Sequence, residues 1–420
     1  MNNVEIRQAY DKARDRFGAV GVDTEAALAS LASVSLSLPC WQGDDVGGFE
    51  RRNAELGGGL AVTGRRPGKP RTIDELRADL DEVFRLVPGR HRLNLHAIYG
   101  DFGGRAVDRD AVAPEHFSGW VEWALQRRLR LDFNATCFAH PLAEEATLAH
   151  HDDEVRRFWI EHCRRCRRIA AEFGRCQASA SIHNLWIPDG AKEAPVDRAA
   201  RRERLLRSLD EVFADRHDPA ALKDSVEGKL FGIGSESFVA GSHEFYLAFA
   251  VTRGVMICLD TGHFHPTESV ADKISALLPF IPGLVFHLSR GLRWDSDHVV
   301  VLNDEIQGVT EEIVRSGALE RSHIALDYFD ASINRVGAWV VGARAVLQGL
   351  LLALLMPEER LRAAEASGNG FERLALREQN KALPWGAVWE AYCFRQNVPT
   401  GGAWIEAVAA YEKDVLAGRG

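Results

Sequence analysis

The sequence predicts a closed (β/α)8 barrel, a TIM barrel of the α/β class, and three observations predict it. Eight apolar, β-rich runs punctuate the chain. Helical patterns rich in Ala, Leu, Arg and Glu lie between most of them, so successive strands run parallel and return through helices. Seven carboxylates and imidazoles fall in, at or just beyond the last four runs, and barrel chemistry collects at the carboxyl ends of strands.

The expected strands cover residues 34–41, 92–99, 129–134, 178–187, 226–233, 255–260, 284–288 and 323–328. Helices are expected over 73–86, 114–128, 154–173, 201–213 and 304–315, among others. Residues 1–33 read as an N-terminal helical segment, 34–350 as the barrel and 351–420 as a helical extension suited to oligomer contacts. The chain of 420 residues with 46% hydrophobic content is long enough to bury such a core. The most apolar stretch, 336–356, is interrupted by Arg344 and Gln348, so a buried or interface helix is expected there rather than a membrane span.

Charge and cysteine usage exclude other classes. The net charge of −9 is spread along the chain, which disfavours a nucleic-acid partner. The N-terminus mixes Glu5, Arg7, Asp11 and Lys12 into a helical pattern with no secretory apolar core, so a cytoplasmic protein is expected. Seven cysteines without scaffold spacing read as reduced thiols, and Cys163 and Cys166 beside His162 as ordinary helix residues. His150, His151, Asp152 and Asp153 read as a capped helix start. The glycine-rich stretch Gly57 to Lys69 lacks a phosphate-loop pattern and reads as a mobile loop or a lid over the ligand.

Glu227, Asp260, His263, His287, Asp295, Asp297 and Asp327 are too many ligand-type side chains for one ion. Taken singly, an Asp after a strand is usually a turn or helix cap; seven in four successive units are not. Carboxylates dominate and no thiolate is in place, which favours Mn²⁺ first and then Co²⁺ or Mg²⁺. Asp295 and Asp297 fall on one side of an extended segment and pair with His263 as one site, leaving Glu227, Asp260, His287 and Asp327 as the other.

Five segments carry a resemblance. Residues 40–50 (CWQGDDVGGFE), 92–99 (RLNLHAIY), 259–267 (LDTGHFHPT), 293–298 (RWDSDH) and 326–335 (LDYFDASINR) resemble bacterial L-rhamnose isomerases, a family of xylose isomerase-like barrels, nearly end to end. The resemblance implies a manganese-dependent homotetramer interconverting L-rhamnose and L-rhamnulose in rhamnose breakdown. It makes Glu227, Asp260, His287 and Asp327 the structural metal ligands and His263, Asp295 and Asp297 the catalytic ones. It also places substrate contacts on His96, Trp186 and Lys229.

The residues suggest a two-metal-assisted hydride shift. The first set would hold the O2 and O3 region of the sugar, and the second would carry the hydroxide that shuttles the hydroxyl proton. Asp327 would orient that water, and Lys229, two residues beyond Glu227 on a continuing strand, would donate to O1. Trp41, Trp186 and Phe133 would suit the apolar faces and methyl group of a deoxy sugar. The alternatives are proton transfer through an enediol, a metal-dependent epimerase or phosphodiesterase on the same barrel, and a catalytically silent sugar-binding protein.

Overall fold

Seven of the eight expected runs cover all or most of a barrel strand and the fifth overlaps one only at its start, and short apolar segments joined by helices leave a parallel sheet no option but to bury both faces. The computed structural model describes residues 3–50, 64–230, 236–292 and 297–419. Its strands are β1 (Ser35–Pro39), β2 (Arg90–His96), β3 (Arg130–Asn134), β4 (Ser181–Leu185), β5 (Gly190–Ala191), β6 (Leu222–Glu227), β7 (Phe238–Val239), β8 (Met256–Asp260), β9 (Leu284–Leu288) and β10 (Ser322–Leu326). Eight of them close in the order β1-β10-β9-β8-β6-β4-β3-β2, all parallel, while β5 and β7 form a small antiparallel pair above the rim.

Each barrel strand is followed by a helix on the outside, from Ile73–Leu86 after β1 to Arg335–Leu354 after β10. Side-chain alternation sends Leu36, Leu38, Leu93, Leu95, Phe133 and Phe286 outward, and the main hydrophobic core lies between wall and helices. Ser37, Arg92, Asn94, Asp132, Asn134 and Asn184 line the axis on one side. There Arg92 donates to Asp132 through Nε at 2.8 Å and Nη2 at 2.6 Å, and Ser37 Oγ and the Ile182 N–H fill the remaining acceptor sites. The other side is plugged by Ile182, Met256, Cys258 and Val285.

Helix Arg335–Leu354 is long and apolar enough to cross a membrane, yet 78% of its apolar window is buried against the rest of the fold, notably the helix Asp304–Arg315. It is a core helix of the barrel. N-terminal helices Asn3–Gly18 and Thr24–Ser33 and C-terminal helices from Glu358–Ala366 to Ala403–Asp414 extend it. Asp152 caps helix Asp153–Cys176 by accepting the Glu154 N–H at 2.7 Å, and Cys163 and Cys166 are buried residues of that helix. Gly57 to Thr63 lie outside the described residues, while Gly64 packs against Ala331 and Ser332 and the Arg66 N–H donates to the Ala331 carbonyl at 2.7 Å.

One strand is displaced from its expected place. The fifth barrel strand runs Leu222–Glu227 and ends where the sequence suggested that it begins. Its first half is polar because Asp224 pairs on the outer face with Arg167 of the covering helix and with His183 of β4, so apolarity alone misses it. Lys229 is therefore past the strand end, and the alternation argument that faced it toward the site does not apply.

Candidate metal centre

The last four barrel strands in chain order deliver one side chain each to a single point at the carboxyl mouth. Glu227 ends β6, Asp260 ends β8, His287 lies one residue from the end of β9, and Asp327 follows β10 directly. Register aligns them, with Asp260 opposite His287 and Glu227 opposite Cys258. One donor atom from each of the four lies within 4.8 Å of the others. His287 Nδ1 stands 3.1 Å from Glu227 Oε2 and 2.9 Å from Asp327 Oδ2.

Three carboxylates this close and largely stripped of water repel one another, a cost that calls for positive charge beside them. Burial pushes Glu227 up, but the His287 charge and contacts from His263 and His287 reverse this and hold its carboxyl well below the usual range. Burial likewise pushes His287 down, yet Cys258, Glu227 and Asp327 together draw it well above its ordinary value. A divalent cation supplies the same compensation with a neutral imidazole, and three oxygens with one nitrogen suit a hard or borderline ion. The residues fit a metal.

Neighbours orient these ligands, as outer-shell groups do. Trp41 Nε1 donates to Asp327 Oδ1 at 3.0 Å, Asn184 Nδ2 donates to Glu227 Oε2, and the Gly262 N–H donates to Asp260 Oδ1 at 2.6 Å. His263 follows one turn after Asp260, with Nδ1 3.2 Å from Glu227 Oε1 and Nε2 3.9 Å from Asp260 Oδ2. Asp297 lines the same cavity, and Asp295 lies outside the described residues. Among the described residues, the second expected ligand set is thus represented in the cavity by His263 and Asp297.

The cavity above the centre is open to solvent and offers about 560 Å³ of empty space. Of the substrate contacts expected from sequence, His96, Trp41 and Trp186 line it. Trp41 meets His96 edge-on at 4.8 Å, Phe138 meets His96 at 5.4 Å, and Phe138 meets Trp186 at 6.0 Å, which makes a continuous aromatic wall. Trp186 Nε1 is buried with no hydrogen-bond partner among the described residues, a donor available to a ligand. Burial first, then the Arg109 charge, push His96 down to about 3, and the Ala135 carbonyl beside the ring opposes this only weakly. His96 is a neutral imidazole.

Two expected contacts are not in the cavity. Phe133 is fully buried on the outer face of β3, edge-on to Phe117 at 5.0 Å and Phe173 at 5.6 Å; its neighbour Asn134 is the residue that faces inward. Lys229 is buried with Nζ 2.7 Å from the Pro188 carbonyl and 2.8 Å from Glu236 Oε2, and it does not line this cavity.

Sequence reasoning missed Asn134, Phe138, Asn184, Val46 and Phe329, all of which line the cavity. The first and third were within reach, because His96 pairs with Asn134 and Asn134 with Asn184, and register partners share a face. Val46 was not. It is a β-branched residue in the left-handed region (φ 57°), a conformation that persists only where surroundings enforce it. Arg335 grips Asp45 with two hydrogen bonds, and Asp44 accepts from Tyr99 Oη at 2.5 Å and the Gly48 N–H at 2.7 Å.

Elsewhere, donor atoms of Glu145, His150 and His151 also come within 4.8 Å of one another at the surface. His150 Nδ1 accepts the Asp152 N–H at 3.0 Å, so a neutral ring there carries its proton on Nε2, which closes that nitrogen to a metal.

Fold and site together define a (β/α)8 barrel with a carboxylate-rich candidate metal centre at the mouth, the place where barrel enzymes carry their chemistry. The family model of L-rhamnose isomerase (RhaA) matches residues 4–419. The chain is 54% identical to the L-rhamnose isomerase of Salmonella gallinarum over 416 residues, 99% of each chain, and 53% identical to that of Salmonella agona over the same length. The chain belongs to the L-rhamnose isomerase family. Among solved structures it is similar to an L-ribulose 3-epimerase (13% identity, TM-score 0.46, 73% of this chain and 98% of that one) and to a D-psicose 3-epimerase (13%, TM-score 0.42, 62% and 86%). These distant likenesses carry no argument about the reaction.

Proposed function

We propose that the protein is an aldose–ketose isomerase that interconverts L-rhamnose and L-rhamnulose in rhamnose breakdown. The observation that carries this reading is the buried Glu227, Asp260, His287 and Asp327 cluster at the floor of a cavity with one aromatic wall and neutral hydrogen-bonding groups. Glu227, Asp260, His287 and Asp327 would hold one divalent cation, Mn²⁺ by preference, and His263, Asp295 and Asp297 a second. Bound there, such ions supply electrostatic stabilisation of sugar oxygens as charge develops on them.

The chain's own groups do the rest. Trp41, Val46, Phe138 and Phe329 give the C5 methyl end of a deoxy sugar an apolar seat and keep water from it. The Trp186 N–H, Asn134, Asn184 and His96 offer hydrogen bonds to hydroxyls. Asp327 is aimed by Trp41, so one carboxylate oxygen keeps a fixed direction through the reaction. Few effective bases remain beside the cavity, since His96, pushed down to about 3, holds a proton only weakly and the carboxylates would be committed to the metal sets. This favours transfer of the C2 hydrogen to C1 as a hydride, with the O2 proton passing to O1, over an enediol route.

Manganese-loaded protein incubated with L-rhamnose should yield ketose, and Asp297→Ala should abolish it. Absence of ketose from the intact protein refutes the isomerase reading. In deuterated water the product should carry no more than traces of deuterium at C1; extensive incorporation sinks the hydride shift alone. The same reading makes the protein a cytoplasmic homotetramer, with helices from residues 351–420 supplying contacts between copies.

A further inference from the structure

Thr136 sits just beyond β3 and is pinned on every side. Its N–H donates to His162 Nε2 at 3.0 Å, and the opposite nitrogen of that ring, Nδ1, lies 2.9 Å from the Arg109 carbonyl, so His162 carries its proton on Nδ1. The Thr136 carbonyl accepts from the Arg109 guanidinium, which also reaches the Phe138 carbonyl at 3.3 Å and is anchored by Glu50 at 2.5 Å. Thr136 and Arg109 are buried, at 0% and 4% exposure. The side-chain hydroxyl is therefore delivered to a fixed point.

At that point Oγ1 accepts the Ala97 N–H at 2.9 Å and lies 3.1 Å from His96 Nδ1. A hydroxyl has one proton to donate, and a buried donor left unmade is costly. His96 Nδ1 is the acceptor within reach. A neutral imidazole that accepts at Nδ1 must carry its proton on Nε2.

We infer that Thr136 is a positioning residue for the sugar reaction: its hydroxyl fixes His96 as the Nε2–H tautomer, so the ring enters the cavity as a hydrogen-bond donor and not as a base. The inference rests, for its link to a sugar, on the isomerase reading above. A second observation agrees with it. Asn134 Nδ2 lies 3.4 Å from His96 Nε2, which would set two donors against each other, while the buried Asn134 Oδ1 has no partner among the described residues. Turning that amide by half a turn places Oδ1 opposite the Nε2–H, gives that oxygen a partner and removes the clash of donors, with the amide N–H₂ taking the place that Oδ1 held. His96 and Asn134 then form an oriented pair beneath the substrate, with the Nε2–H shared between the amide and a sugar oxygen.

Neutron diffraction of the deuterium-exchanged protein reads the tautomer directly. The expected map shows a deuteron on His96 Nε2, none on Nδ1, and the Thr136 hydroxyl deuteron aimed at Nδ1. A deuteron on Nδ1, shared with Thr136 Oγ1 or the Ala135 carbonyl, overturns the inference. Kinetics give a second reading with Thr136→Val and Thr136→Ser. Loss of the hydroxyl should raise KM for L-rhamnose by about tenfold or more, with a smaller effect on kcat, and serine should restore KM to within about threefold of the parent. An unchanged KM in the valine variant, or a loss that serine fails to rescue, counts against a positioning role. If the valine variant does not fold, the neutron map of the parent protein decides alone. If the parent isomerises no aldose, the isomerase reading falls while the map still decides the tautomer.

Discussion

Replacing Asp132 by Asn tests the polar axis of the barrel. Asp132 is 3% exposed and Arg92 is 5% exposed, and the carboxylate accepts four hydrogen bonds: two from Arg92, one from Ser37 and one from the Ile182 N–H. Burial pushes this carboxyl up, but the Arg92 charge and the four donors outweigh it and keep the group below its ordinary value, hence ionised. An Asn keeps the shape, removes the charge and offers one acceptor oxygen in place of two. It strands a buried guanidinium whose remaining strong partner is the Ala180 carbonyl at 2.9 Å. Breaking a buried pair in this way costs about 3–5 kcal/mol. Equilibrium urea unfolding at fixed protein concentration and metal loading should show a midpoint lowered accordingly with m unchanged. The double variant Arg92→Met/Asp132→Leu removes both charges and should recover about 2 kcal/mol or more relative to the summed losses of Arg92→Met and Asp132→Leu alone, a coupling that this double-mutant cycle isolates. A loss below about 1 kcal/mol for Asp132→Asn, or strict additivity in the cycle, refutes the view that this ion pair holds the axis.

Three further outcomes are expected. Trp41→Phe keeps the ring against His96 but deletes the 3.0 Å hydrogen bond to Asp327, and competition with a chelator should show Mn²⁺ affinity reduced about 10- to 100-fold. Burial holds His91 and His323 neutral by pushing them down to about 4, and burial with the Arg109 charge pushes His162 down to about 3, from an ordinary value of 6.5. The unfolded chain binds protons that the folded one refuses. Stability from these groups is therefore complete above pH 6.5 and lost as the pH falls toward 4, with a slope of up to about 1.4 kcal/mol per pH unit for each histidine. Thermal midpoints that stay flat between pH 6.5 and 4.5 would contradict it. Gly174→Ala should destabilise by about 3 kcal/mol or more, because a Cβ there would fall 1.7 Å from the Ala221 carbonyl oxygen, which is backbone and cannot step aside. A thermal midpoint within a degree of the parent would show that the helix Asp153–Cys176 can shift off β6.

The parts of this fold that could be read from the sequence are those in which side-chain type and backbone periodicity say the same thing. Strand β9 is apolar on both faces except for its ligand, and its observed bounds, Leu284–Leu288, are the expected ones. Strand β6 carries Lys223, Asp224 and Ser225, with Asp224 paired to Arg167 of the covering helix, and the apolar signal slid onto the residues that follow. The expected cluster of Glu227, Asp260, His287 and Asp327 converges despite this slip, since a carboxylate at either end of a misplaced run still lies near the mouth. Inferences from parity did not. Lys229 needed the strand to continue past Glu227, and Phe133 needed the opposite face of β3, whereas counting from His96 through its register partner Asn134 puts Phe133 outside. The left-handed Val46 and the Arg109 clamp on Thr136 lie in loops, where a conformation is set by contacts between segments far apart in the chain. Type therefore locates a ligand to within a strand end, whereas facing direction must be counted along the register from a residue whose direction the chemistry already fixes. For this barrel His287 is that residue: Val285 shares its inward face, Phe286 takes the outer one, and the same count carried across β8 points Asp260 and Cys258 inward together.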